Sequence, residues 1–197
     1  GIMEQLGGFT ALLFAARSGD IEMARFLLDS EADIEAVAGN KTSAVVIATH
    51  SGHPALAELL LDSGANANTI GAGYTALHAA ILRGDLDTVN ALLAHGADPN
   101  ARLLRPNPVQ RASEDWSLKG PKVSATPYWL AASFREANIM RALVAGGADP
   151  SATNEGRLSI PRNREDRESC TPKVVSGFES SVQAAIRGDN TRGRYYV

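Results

Sequence analysis

The sequence predicts an all-α solenoid of stacked helix–turn–helix units, joined by finger loops and interrupted by one long loop insertion. One observation is that Gly19, Gly52 and Gly84 occupy a single repeat position, at spacings of 33 and 32 residues. A second is that a Thr or Ser stands nine residues before each of these glycines. A third is that apolar residues follow each glycine at three- and four-residue intervals, which is typical of a helix with one buried side. Such repeats stack on their neighbours and leave a long surface open for a partner.

The first helix of each unit begins after a hydroxyl residue that can accept a hydrogen bond from an unpaired backbone N–H. These residues are Thr10, Ser43, Thr75 and Thr126. The segments that follow are short and rich in alanine, which lets neighbouring helices approach closely. Glycine ends the first three of them, because it tolerates the left-handed conformation at a helix terminus.

The second helix begins with an acidic residue in three copies, and acidic side chains are favoured near a helix N-terminus. These residues are Asp20, Asp85 and Glu136. In the remaining copy Pro54 stands early in the helix, where its missing N–H costs little. Glycine follows the second helix in three copies, at Gly64, Gly96 and Gly147.

The third unit contains Thr75-Ala-Leu-His-Ala-Ala80, and the fourth begins with Thr126-Pro-Tyr-Trp-Leu-Ala-Ala132. Together with the Ala-Asp or Ala-Asn turns that close the units, these segments resemble the ankyrin repeat, a turn and two antiparallel helices of about 33 residues. The resemblance covers about residues 8–154. It implies a structural hydrogen-bonding role for His78 between neighbouring loops. The positions that depart from the family pattern are Glu31 and Arg135, which replace glycines, and Val46, which replaces the signature histidine.

The units divide the chain into repeats and connecting segments. Four repeats fill residues 9–154, and their bounds are 9–41, 42–73, 74–100 and 125–154. An inserted loop, 101–124, separates the last two, and its prolines and glycines predict an extended course. We interpret residues 1–8 as the finger remnant of a preceding repeat, 155–178 as a charged linker and 179–197 as a partial fifth repeat. Copy one lacks the polar outer helix of a complete stack. We therefore expect a fragment of a longer array, or a chain whose ends another subunit covers; the alternative is a natural end with a degenerate cap.

Composition places the chain among ordinary soluble proteins, with 44% apolar residues and a net charge of −3. No apolar run approaches the roughly 18 residues of a membrane span, and no secretory signal opens the sequence. Cys170 is the single cysteine, so an internal disulfide framework is excluded. A cytoplasmic location is the default expectation, and an extracytoplasmic one stays open if a signal peptide was removed. The alanine-rich copies look bacterial in style.

No residue pattern predicts catalysis, a cofactor or a metal, since the phosphate-binding glycine loop and the nucleophile elbow are both absent. His50 and His53 have a spacing that could reach one metal, but no carboxylate or cysteine is near them in sequence, which favours a surface turn. The repeats are acidic and the insertion is basic. This distribution is poorly suited to coating nucleic acid, whose affinity for proteins comes mainly from neutralising phosphates. The basic insertion suits an acidic partner, or the acidic surface of its own stack.

The ankyrin resemblance implies a protein partner held on a concave ridge of finger tips and exposed sides of first helices. Aromatic and arginine side chains are frequent anchors, and transferring the ridge position by position selects Tyr74, Arg83, Arg17, Phe134, Phe9, His50 and Leu82. Trp116, in the insertion, is a further candidate, either as a contact anchor or as a plug that folds the loop back on the helices. We expect a protein–protein interaction module or scaffold and not an enzyme. Two alternatives stay open: a docking or regulatory segment of a larger enzyme, and a structural subunit of a stable assembly.

Overall fold

The computed structural model describes residues 7–105, 123–155 and 178–179. Within these ranges the chain forms eight helices, which in order are α1 Ala11–Ser18, α2 Ile21–Asp29, α3 Ala44–Ser51, α4 Pro54–Asp62, α5 Ala76–Arg83, α6 Leu86–Ala94, α7 Pro127–Ser133 and α8 Ala137–Ala145. Two short strands, β1 (Asn154–Glu155) and β2 (Phe178–Glu179), pair antiparallel. None of the helices in this part of the chain has the length and apolar character needed to cross a membrane.

The helices are arranged as four stacked pairs. The two helices of each pair pack against each other, and the first helices stack in sequence, with α1 on α3, α3 on α5 and α5 on α7. The second helices stack in parallel order, with α2 on α4, α4 on α6 and α6 on α8. This confirms the predicted all-α solenoid of helix–turn–helix units.

The hydrophobic core runs between the two helix layers and continues from one pair to the next. Ala48 and Ala80, on first helices, are fully buried, which fits the close approach predicted from the alanine content. The largest fully buried side chains in the described ranges are Trp129, Leu12, Leu13, Leu56, Leu60, Leu77, Ile81, Leu82, Leu92 and Leu103.

Hydroxyl residues cap three of the four first helices. The side chains of Thr10, Thr75 and Thr126 accept a hydrogen bond from the backbone N–H three residues on, at 3.4, 3.4 and 3.2 Å. Ser43 occupies the same position but makes no such bond, and its Oγ is buried without a hydrogen-bond partner among the described residues. The second copy therefore begins without the side-chain cap that its sequence predicts.

Left-handed backbone recurs at three positions in every copy. It ends the first helix at Gly19, Gly52, Gly84 and Arg135. It follows the second helix at Glu31, Gly64, Gly96 and Gly147, and it returns in the finger at Gly8, Lys41, Gly73 and Ser124. Glu31 and Arg135 adopt φ values of 62° and 60°, so the helices end there as they do in the copies that carry glycine.

Side-chain hydrogen bonds join the loops that follow the second helices of neighbouring copies, residues 31–35, 64–68, 96–100 and 147–151, here called the hairpin loops. Asn100 Oδ1 accepts the backbone N–H of Asp149 at 2.8 Å, and its Nδ2 donates to the carbonyl of Gly147 at 3.1 Å. Asn68 makes the equivalent two bonds to the third copy. In the first copy the Glu35 carboxylate takes this place and accepts one backbone N–H of the second copy at 2.8 Å. These bonds fix each repeat relative to the next.

The loop insertion leaves the stack from a hydrogen-bonded base. The backbone N–H of Leu103 donates to Ala125 O at 3.0 Å, and that of Ser124 donates to Leu103 O at 2.7 Å. Arg102 Nη1 donates to Ser124 O at 2.9 Å and to Thr153 O at 3.1 Å. The two ends of the insertion therefore lie side by side. The β1–β2 pair brings together the two ends of the following segment in the same way.

Several sequence predictions concern residues outside the described ranges. They are Trp116, most of the charged linker 155–178, the partial fifth repeat 179–197 beyond its first residue, and most of the finger remnant 1–8. The repeat boundaries themselves stay predictions.

Candidate interaction surface

The loops that lead into the first helices form a surface that we call the finger ribbon, comprising residues 36–42, 69–74, 101–105 and 123–125. Backbone hydrogen bonds connect these fingers. Gly73 O accepts the N–H of Leu104 at 2.7 Å and that of Arg105 at 3.2 Å. At the start of the stack, Gly39 N–H donates to Gly7 O at 2.8 Å. Hydrogen bonds thus hold the second and third fingers in register and join the first finger to the residue before the first repeat.

Two aliphatic side chains of the finger ribbon are exposed. Val37 is 42% exposed and Leu104 is 57% exposed. The backbone of Val37 pairs with Ser43 in an antiparallel bridge, and the backbone N–H of Leu104 donates to Gly73 O. Exposed aliphatic side chains on a fixed backbone are suited to contact with a partner. The sequence does not predict their exposure, because finger residues follow no helical or strand period that separates buried from exposed positions.

The charged side chains in the described part of the finger ribbon are all basic, namely Lys41, Arg102 and Arg105. Arg102 holds the base of the insertion, and Arg105 Nη2 donates to Gly71 O at 2.8 Å. The acidic residues of the described repeats lie on the helices and hairpin loops instead. The ribbon is therefore a basic strip on an acidic stack.

Four of the predicted ridge residues are exposed or half-buried, namely Arg17, Phe9, His50 and Arg83. Arg17 is exposed in the last turn of α1. Phe9 is half-buried, and its ring lies 5.1 Å from that of Phe14. His50 is also half-buried, with its ring 6.4 Å from that of Tyr74.

The expectation that Tyr74, Leu82 and Phe134 are exposed ridge side chains is wrong, because their exposed fractions are 5%, 0% and 4%. Leu82 belongs to α5, which is covered by α3 on one side and by α7 on the other. Burial raises the pKa of Tyr74, and a side-chain hydrogen bond with Thr42 opposes this shift. All three side chains pack within the stack rather than facing a partner.

Arg83 is half-buried and lies over the end of α3. Its Nη1 donates to His50 O, a carbonyl of the last turn, at 2.9 Å. A Cβ placed on Gly52 would lie 2.3 Å from Arg83 Nη2, so the guanidinium covers this glycine. His53 bears the same relation to α1, since its Nε2 lies 3.2 Å from Arg17 O. Both side chains contact carbonyls that have no partner within their own helix, and both join one repeat to the preceding one.

His78 is fully buried and completes a capping box with Thr75. Its Nδ1 accepts the backbone N–H of Thr75 at 3.2 Å. Burial lowers the pKa of His78 to about 4, against the opposing effects of the backbone of Ala125 and Ala101 and of the Asp98 carboxylate. The ring is therefore neutral near pH 7. Because Nδ1 accepts a hydrogen bond, the proton belongs on Nε2, which is buried without a hydrogen-bond partner among the described residues. This environment gives His78 a structural role.

Aspartates at repeat positions cap helices and turns, whereas Glu136 at the start of α8 makes no side-chain cap bond. Asp20 and Asp85 each accept a backbone N–H in the first turn of the second helix, at 2.9 and 3.1 Å. Asp98 accepts the N–H of Asn100 at 2.8 Å. Within the described ranges, no three His, Cys, Asp or Glu side chains come together in a way that could hold a metal ion.

Stacked helix pairs joined by a finger ribbon define a repeat solenoid. A sequence model of the family described as Ankyrin repeats (3 copies) matches residues 12–102. These residues belong to the ankyrin repeat family, and α7 and α8 continue the same stack beyond them. Ankyrin repeats are generally non-catalytic modules for protein–protein interaction. A search of curated proteins found no match to this chain.

Proposed function

We propose that this chain holds a partner protein against the finger ribbon and the exposed residues beside it. The observation that carries the proposal is the combination of hydrogen-bonded fingers with the exposed side chains of Val37 and Leu104. Arg17, Phe9, His50 and Arg83 are the predicted ridge residues whose side chains are exposed or half-buried. A backbone already held in place loses little conformational freedom on binding, which favours affinity.

The test uses the full chain as bait in a lysate of the organism that encodes it, followed by identification of the captured protein by mass spectrometry. Calorimetry then compares the wild-type chain with the double variant Val37→Ser/Leu104→Ser. We expect the Kd to rise about tenfold or more, because each lost aliphatic contact removes on the order of 1 kcal/mol. Val144→Ser is the matched control, since Val144 is also exposed, at 47%, but lies on α8.

An unchanged Kd in the double variant, together with an unchanged melting temperature, would remove the finger ribbon from consideration. A weaker complex in the Val144 variant alone would place the contact on the second-helix side of the stack.

A second candidate function, assembly through the end of the stack, is supported by the first copy. Phe14, Met23 and Phe26 are 57%, 47% and 65% exposed. In the second copy the positions of Phe14 and Met23 hold Ile47 and Leu56, which are only 8% and 1% exposed because the preceding helix pair covers them. An equivalent cover over the first copy would bury its aromatic side chains.

Sedimentation velocity over a concentration series from low micromolar to near-millimolar tests this second candidate. Assembly predicts an oligomer that the exchange Phe14→Ser/Phe26→Ser dissociates. A wild-type chain that stays monomeric throughout the series counts against assembly of this chain with itself, and it leaves the finger ribbon proposal unaffected.

A further inference from the structure

Two basic residues from different repeats contact one glycine of the finger ribbon, Arg105 through its guanidinium and Lys41 through its backbone and Cβ. Arg105 Nη2 donates to Gly71 O at 2.8 Å. A Cβ placed on Gly71 would lie 2.8 Å from Lys41 Cβ and 2.7 Å from Lys41 O. Lys41, in the first finger, and Arg105, in the third, therefore flank Gly71 in the second. Arg105 also crosses Gly73, where an added Cβ would lie 2.6 Å from its own Cβ.

The environment leaves both cations able to bind an anion. Lys41 and Arg105 are exposed, and the described part of the finger ribbon contains no acidic side chain. The bond to Gly71 uses one of the five N–H donors of a guanidinium. A carboxylate can pair with an arginine through two parallel hydrogen bonds, while a lysine adds a point charge.

Each cation has an exposed aliphatic neighbour on its own finger. Leu104 directly precedes Arg105, and Val37 shares the first finger with Lys41. The first and third fingers thus each present one basic residue and one exposed aliphatic side chain.

We propose that Lys41, Arg105, Val37 and Leu104, here called the basic finger patch, bind an acidic peptide segment that carries an aliphatic residue beside its carboxylates. The inference rests on the proposed function and names the chemistry of the partner. The carboxylates meet the two cations, and the aliphatic residue covers the exposed side chains. The charge of the patch is thereby matched to the partner, which gives specificity and speeds association.

Nucleic acid is the other polyanion that a basic surface could attract, and the surroundings of the patch disfavour it. Affinity for nucleic acid requires several phosphates to be neutralised at once. Glu35 and Asp33 lie on the hairpin loop that leads into the first finger, and Asp98 lies before the third. These carboxylates repel a polyphosphate that extends beyond the patch, whereas a short peptide places its charges on the patch alone.

The test selects binders from a random peptide display library against the immobilised full chain. Enrichment of Asp and Glu together with Leu, Ile or Val is expected. A synthetic peptide of the selected consensus should bind the double variant Lys41→Asn/Arg105→Gln roughly fivefold to tenfold more weakly than wild type, and its affinity for wild type should fall as salt rises. Asparagine is chosen at position 41 because it tolerates the left-handed backbone there, with φ 65°. Arg25→Gln, an exposed cation lost from α2, is the matched control and should bind as wild type does.

The outcomes separate this inference from the proposed function. Selected peptides without acidic enrichment, whose affinity still falls in the Val37→Ser/Leu104→Ser variant, overturn the acidic chemistry and leave the finger ribbon standing. Recovery of no peptide, or of peptides that neither double variant weakens, counts against both. A single-stranded DNA oligonucleotide that binds wild type more tightly than the selected peptide, and loses affinity in the Lys41/Arg105 variant, assigns the patch to nucleic acid instead.

Discussion

Gly96→Ala and Glu31→Gly are expected to shift stability in opposite directions, although both residues follow a second helix. Both adopt left-handed backbone, with φ values of 77° and 62°. A Cβ added to Gly96 would meet no atom within 4 Å. The alanine variant therefore changes the backbone preference and leaves packing untouched. Glu31 is exposed, so its exchange for glycine likewise removes little packing.

The magnitude follows from two opposing terms. A left-handed conformation costs an L-residue about 1–2 kcal/mol relative to glycine. Replacing glycine also restricts the unfolded chain, which offsets about 0.4–1 kcal/mol of that cost. Gly96→Ala should therefore lower the free energy of unfolding by about 1 kcal/mol, and Glu31→Gly should raise it by a similar or smaller amount.

Urea unfolding followed by circular dichroism measures both changes. Gly64→Ala is the matched control for Gly96→Ala, because Gly64 has the same backbone conformation, with φ 94°, and open space around its Cβ. The double variant Glu31→Gly/Gly96→Ala should return close to the wild-type midpoint, since the two sites are in different repeats. A Glu31→Gly variant that is destabilised as much as Gly96→Ala would refute the argument, because side-chain contacts would then outweigh backbone conformation.

Three further predictions concern contacts between repeats. Asn100→Ala removes hydrogen bonds of 2.8 and 3.1 Å to the next hairpin loop, so its free energy of unfolding in urea should fall by about 1–2 kcal/mol. The control Asn138→Ala alters a bond within α8 only and should leave the unfolding midpoint nearly unchanged. Leu82→Ala should cost about 2–5 kcal/mol by opening a cavity, and a loss under about 1 kcal/mol would contradict its burial. The pKa of His95 is raised from 6.5, first by a backbone hydrogen bond and then by Asp62. The His95–Asp62 contact should therefore contribute its full stabilisation of the fold below the unfolded-state pKa, and this stabilisation should be lost as pH rises through the folded-state pKa. An NMR titration should show that Asp62→Asn lowers the pKa of His95.

The backbone of the repeats was predictable because local chemistry specifies it. Caps and glycines located the ends of the helices, and the structure retains those ends even where the sequence departs from glycine. At Glu31 and Arg135 the closing hydrogen bonds explain this, since the N–H of the following residue reaches back five residues, at 2.9 Å in both copies. A helix end is thus specified by the chain on both sides of it, and one unfavourable residue does not move it.

The exposure of individual side chains was not predictable in the same way, because neighbouring repeats decide it. Arg17, His50 and Leu82 occupy one position of the first helix, yet they are exposed, half-buried and fully buried respectively. The ridge positions carried over from the family resemblance predicted that all three side chains are exposed. In the fingers, two side chains are exposed although no sequence pattern predicts it. Val37 and Leu104 belong to no helical or strand period, and their exposure follows only from the hydrogen bonds that fix the fingers.

Contacts between repeats also determine which predicted anchors are free to bind a partner. His53 and Arg83 occupy different repeat positions, because His53 directly follows Gly52 whereas Arg83 directly precedes Gly84. Each side chain nevertheless lies over the glycine that ends the first helix of the preceding copy. Arg83 therefore joins two repeats through His50 O, and its loss would weaken the stack whether or not a partner touches it. A binding defect in an Arg83 variant would not distinguish contact from stacking. The exposed aliphatic side chains of Val37 and Leu104 have no polar group that could make such a joint, so their exchange tests contact alone.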